Sequence, residues 1–153
     1  MADITARKEM EADLRRTTSD LEGLIAASPL ATIVLDLDGM VRLWNPAATR
    51  IFGWSAEEVL GQRPPHIPAA EGAETHEMLL GVARGEVIAG MQLRHQRKDG
   101  RPIQAELYAA PQRDQDVRIV GVIEQIADIT ARQHMQETLL QAQTMESIGR
   151  LAG

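Results

Sequence analysis

Two Asp-Gly pairs, at 38–39 and 99–100, each sit between runs of apolar residues and limit what this chain can fold into. Asp-Gly tolerates the positive backbone angles of a tight hairpin, so "ATIVLDLDGMVRLWN" reads as two antiparallel strands. "VIAGMQLRHQR" and "RPIQAELYAA" read as two more, and in the second Ile103, Ala105, Leu107 and Ala109 alternate with Gln104, Glu106 and Tyr108. A fifth run, "VRIVGVIEQIADI", is apolar on both sides, which predicts a strand covered on both faces.

Helices fall between the second and third strands. "NPAATRIFG" has Asn45 to accept free amides, Pro46 at the first helical position and Gly53 to close the end. In "SAEEVLG", Ser55 and Glu58 have capping-box spacing. "RPPHIP" is loop, and "ETHEMLLGVARG" is a helix with Met78, Leu79 and Val82 on one side. The fold class is α+β, a domain of roughly 100 residues.

The 153 residues suffice for one core, and the net charge of −6 gives no general pull toward nucleic acid or anionic lipid. With no cysteine, disulfides, thiolate catalysis and cysteine metal sites are excluded. The longest uncharged run, "GLIAASPLATIVL", is short and broken by Pro29, so no membrane contact is expected, and a cytoplasmic location is.

Helical runs flank the sheet domain. Met10, Leu14, Thr17, Leu21, Leu24 and Ser28 recur in steps of four and three, the period of a helix that pairs with another. The plainer alternative is an amphipathic helix lying on its own domain, and either way Pro29 ends it. Past the last strand, Met135, Leu139 and Ala142 keep the same steps, and Met145, Ile148 and Ala152 resume one residue early. Such a register break leaves two packings close in energy. The pentapeptide DITAR occurs at 3–7 and again at 128–132, an internal repeat expected of a reused unit of domain plus connecting helix. Thr130 and Gln133 have capping-box spacing, which would tie the exit helix to the last strand through Asp128 and Ile129.

"DLDGMVRLWNPAATRIFGWSAEEVLGQ", "RKDGRPIQAEL" and "GVIEQIADITAR" resemble the opening and closing halves of a Per-Arnt-Sim (PAS) domain. Asp36, Gly39, Asn45, Gly53, Glu57, Gly61, Asp99, Gly100, Gly121, Asp128 and Thr130 match its pattern, over about residues 20 to 135. The resemblance implies a five-stranded antiparallel sheet with helices on one face, around a pocket or a filled core. "LLQAQTMESIGRLAG" is similar to the segment before the phosphoacceptor histidine of sensor histidine kinases, often of hybrid type. The expected organisation is therefore a signalling helix at 1–27, a PAS domain at 28–130 and an output helix at 131–153. The implied partners are a second copy of the chain, the parent's kinase domain and a response regulator. No kinase activity is expected of these residues themselves, which hold no phosphoacceptor box and no ATP-binding motif.

Strand alternation and helix facing select Ile33, Leu35, Val41, Leu43, Met78, Val82, Met91, Leu93, Ile103, Leu107 and Ile123 as pocket walls, or simply as core. The seam of a paired helix would use Met10, Leu14, Leu21, Leu24, Met135, Leu139, Met145 and Ile148.

Catalytic and metal motifs fail on inspection. "THEMLLG" places an acid after His76 but lacks the downstream proline of a phosphoacceptor box, and "GWSAE" lacks the final glycine of a nucleophile elbow. His66, His76, His95 and His134 have no paired metal spacing and read as loop, surface or helix residues. "GVARGEVIAG" is not a phosphate loop. Light-oxygen-voltage flavin chemistry needs a reactive cysteine that is absent, and haem-binding members use a helix histidine for which only His76 stands as candidate, near a slot that falls at Glu74. A non-covalent flavin is left open, with Trp44 or Trp54 near its ring, while a small-molecule ligand and an empty core are the main expectations. Two functions follow: a sensing module acting on its exit helix, or a ligand-free dimerisation and relay module. A DNA-binding parent is a weaker third, against which the kinase-like exit stands.

Overall fold

The computed structural model describes residues 2–152. Helix α1 (Ala2–Ala27) stops ahead of Ser28 and Pro29. Strands β1 (Ala31–Asp36) and β2 (Val41–Trp44) follow, then helices α2 (Pro46–Phe52) and α3 (Ala56–Val59). A single 3-10 turn (Ala69–Glu71) runs into α4 (Gly72–Ala83). Strands β3 (Ile88–Gln96), β4 (Pro102–Arg113) and β5 (Ile119–Asp128) complete the sheet, and α5 (Thr130–Ala152) leaves it.

All neighbours pair antiparallel in the order β2-β1-β5-β4-β3, the five-stranded α+β arrangement the sequence predicts. Local chemistry sets the turns. At the first hairpin the Asp36 carbonyl accepts from the Gly39 amide at 3.0 Å, while Asp36 Oδ1 accepts from the amides of Asp38 and Met40. Helix α3 has the full capping box of Ser55 and Glu58. Asn45 caps α2 through its Oδ1, which accepts from Ala48 N at 3.0 Å and also from Thr32 N at 2.9 Å, while its Nδ2 donates to the carbonyls of Ile25 and Leu30. One buried amide thus binds the end of α1, the start of β1 and the start of α2 together.

The core lies between the inner sheet face and α2, α3 and α4. Ile33, Leu35, Val41, Ile103, Leu107 and Ile126 are buried there with Phe52, Val59 and Val82. Each such side chain contributes roughly 1.5–3 kcal/mol by leaving water. Leu93 packs against this cluster from β3, and Met91, on the same face but on the edge strand, stays 39% exposed.

Two expected pocket residues lie on the other face. The β1–β2 register slips between Val34 and Leu35, so Val41 and Trp44 face inward and Leu43 pairs with Val34 outside. Ile123 pairs with Val34 and Ala110, also outside, because Val122, Glu124 and Ile126 take the inner positions of β5. The outer face of β5 is not covered as expected: Leu43, Val34, Ile123 and Ala110 form an apolar row across four strands, with Ile123 36% exposed. Nor does α1 lie on the sheet domain, since Met10, Leu14, Leu21 and Leu24 are exposed, as are Met135, Leu139, Met145 and Ile148 on α5.

Gly121 is required by space. A Cβ there would strike the Leu35 carbonyl oxygen on the neighbouring strand.

Candidate functional site

A cavity of about 380 Å³ opens between the β1–β2 hairpin, the loop at 63–69 and α4. Its floor is Leu35 of β1 and Val122 of β5, which are cross-strand partners. Gly72 and Ala73 put the smallest side chains of α4 at this end, so helix and sheet do not close upon each other. Leu79, Leu80 and Ala83 form the helix wall and Ile67 the loop wall. The lining is apolar apart from Asp36, Arg63 and His76. Such a cavity, apolar with a few polar groups, is what small-molecule sites are made of.

Of the expected walls, only Leu35 lines it. Ile33, Val41, Val82, Ile103 and Leu107 are core instead, and Met78 is half-buried outside both core and cavity. Helix α4 turns the Leu80 side toward the cavity, a facing that its many apolar positions left open to several choices.

Beside the cavity, three buried polar residues escaped the sequence reading. His66, in the loop at 63–69, and His95, on β3, are buried rather than surface residues, packed into an aromatic cluster with Trp44 and Phe52. Phe52 stacks on His66 at 4.5 Å, and no ring nitrogen of either histidine has a hydrogen-bond partner. Burial holds His66 well below the ordinary imidazole range, with a smaller push from His95, and holds His95 at about 4. Both are neutral at pH 7. Glu124 pairs with Ile33 and Ala109 one inner row beyond the cavity floor; burial raises its carboxyl to about 7, and its Oε2 is unpartnered. A charge in an apolar run is the one signal that marks it, and the other alternation of β5 was equally apolar.

The joint to α5 departs from the expected capping box. Asp128 Oδ1 accepts from Thr130 N at 3.0 Å, and the Thr130 hydroxyl accepts from the amide of Gln104 on β4 at 3.0 Å. The Gln104 carbonyl in turn accepts from Ile129 N at 2.8 Å. Gln133 bonds through its side chain to Gln92 on β3, not back to Thr130, and Arg132 pairs with Glu106 on β4. The helix start is therefore tied laterally to two strands as well as end-on to β5. Ile129 is buried beneath it.

Among the described residues no helix is long and apolar enough to cross a membrane, and no group of three or more His, Asp and Glu is placed to hold a metal. Without cysteine, a flavin adduct cannot form. His66 and His95 are enclosed by aromatic rings, which leaves His76 as the one imidazole on the cavity wall.

The PAS fold family matches residues 19–129, and the chain belongs to that family. It is 40% identical over 60 residues to the sensor protein FixL of Bradyrhizobium diazoefficiens, a stretch that covers 39% of this chain and 12% of that protein. The chain thus corresponds to a small part of that relative's length. Among solved structures, an RNA-binding light-oxygen-voltage receptor superposes with a TM-score of 0.69 at 25% identity, over 87% of this chain and 38% of that one. The PAS domain of an HTR-like protein from Haloarcula marismortui does so with a TM-score of 0.64 at 26% identity, over 80% and 99%. This is a PAS sensory domain, with a sensor protein among its relatives.

Proposed function

We propose that the chain is the regulatory PAS module of a two-component sensor histidine kinase. In this reading it works in the cytoplasm as a parallel homodimer, and it controls autophosphorylation of a downstream kinase domain, and so of a response regulator, through α5. The observation that carries the reading is the Gln104 joint. Both backbone groups of Gln104 are taken by Ile129 and Thr130, so a shift of β4 must move the first turn of α5. The likeness of the exit segment to kinase linkers and the match to FixL support the same parent. The seam residues of α1 and α5 and the apolar row on the outer sheet face offer a second copy its contact area.

The test is cysteine crosslinking along residues 135–152 in the full gene product, in kinase-on and kinase-off states. Two pairing patterns are expected, with Thr130→Val biasing the protein toward one and changing autophosphorylation. One unchanging pattern would overturn the reading.

A ligand-free relay is the second reading, favoured by the Asn45 clasp on the end of α1, which gives an upstream helix a grip on the sheet. Native mass spectrometry separates the two. A retained small molecule supports sensing, and a dimer without added mass supports relay.

A further inference from the structure

We propose that the cavity takes a small amphipathic carboxylic acid, its hydrocarbon against Leu35, Leu79, Leu80 and Val122 and its carboxylate at Arg63 and His76. The inference deepens the sensing reading above and rests on it. Leu35 and Val122 close the sheet side of the cavity and Leu79 and Leu80 the helix side, so the body of a ligand meets hydrocarbon. The polar groups stand at its rim, where Arg63 and His76 are exposed.

Arg63, like most of the basic residues, forms no ion pair among the described residues, and it is the one Arg or Lys on the cavity lining. Its backbone position is fixed. Gly61 N donates to the Val41 carbonyl and Val41 N donates to the Gln62 carbonyl, each at 2.8 Å, and Pro64 and Pro65 follow. A held guanidinium fork fits a carboxylate with two parallel hydrogen bonds. A ring nitrogen of His76, across the rim on α4, can give a third. The one acid on the lining is Asp36, and its Oδ1 already accepts from the amides of Asp38 and Met40. The several N–H donors of Arg63 and one of His76 outnumber the open Oδ2 of Asp36, so the free capacity of the rim is mostly that of donors, which favours an anion over a cation.

The test titrates the purified chain with octanoate, octylamine and 1-octanol, followed by amide shifts in two-dimensional NMR. Octanoate is expected to shift residues 76–83 and Val122 and to bind about tenfold tighter than 1-octanol. Arg63→Gln, a surface change, should bring octanoate to the level of 1-octanol and leave 1-octanol unchanged, while Leu79→Trp should weaken both. Equal binding of the three, a preference for octylamine, or an Arg63→Gln variant with unaltered octanoate affinity would overturn the carboxylate assignment and leave a small-molecule site standing. If no probe binds, the assignment and the sensing reading fall together, and the relay reading remains.

Discussion

The imidazoles of His66 and His95 meet edge to face with centroids 4.8 Å apart, and none of their four nitrogens has a hydrogen-bond partner. An unfolded chain protonates both near pH 6.5, whereas burial holds His95 at about 4 and His66 well below the ordinary imidazole range. The unfolded state therefore binds more protons below pH 6.5, and stability is expected to fall as pH drops from there through 4. For His95 the loss is about 3 kcal/mol. Urea melts across this range check it, and His95→Leu should flatten the slope.

Glu124 gives the opposite slope. Burial raises its carboxyl from an ordinary 4.5 to about 7, so the folded state holds its proton more tightly than the unfolded state does. Its contribution is full below pH 4.5, declines between 4.5 and 7, and is lost above. Between pH 4.5 and 8, wild type is expected to lose about 3 kcal/mol relative to Glu124→Gln. Paired melts of the two proteins at both pH values measure the difference directly.

Thr130→Val removes the acceptor of the Gln104 amide and should cost about 1 kcal/mol. Hydrogen exchange at the amide of Gln104 is expected to accelerate more than at Leu107, in the middle of the same strand. Equal protection in both proteins would show that the hydroxyl does not hold the joint.

Gly121→Ala places a Cβ against the Leu35 carbonyl, which the backbone of a central strand cannot move away from cheaply. A loss of about 2 kcal/mol is expected. Gly23→Ala is the control: nothing lies within 4 Å of that position inside α1, and a gain of up to about 1 kcal/mol follows from helix propensity. Thermal denaturation of the two variants decides both signs.

Ile123→Glu places a charge in the apolar row of Leu43, Val34, Ile123 and Ala110. If a second copy covers that row, sedimentation equilibrium should show the dimer weakened by tenfold or more, while the monomer keeps its circular dichroism spectrum.

The element order was legible because most boundaries have their own chemistry: Asp-Gly at two of the three hairpins, Asn45 and Ser55 at helix starts, Pro29 after α1. The facing of residues was harder to read. Leu43 lies outside because a bulge between Val34 and Leu35 changes the count by one, and bulges leave little trace in a short strand. On β5 both alternations are apolar, so only the neighbours decide: Ala109, directly opposite on β4, leaves inner room that the side chain of Glu124 helps to fill. His66 is a loop residue, as the prolines around it predict, but nothing in that loop signals that its ring is buried against Phe52. Arg63 went unnoticed because its partners in space, Asp36 and His76, are far away in sequence.

The side chain of Asn45 has every hydrogen-bonding valence occupied, two received and two given, on three stretches of backbone. A twist of α1 about its own axis would have to tear Nδ2 from the Ile25 carbonyl, whereas a tilt could carry Ile25, Leu30 and Thr32 along as one piece. The end of α1 is thus pinned to the sheet at one buried side chain, and even an Asp at this position would forfeit both donors and loosen the hinge pin.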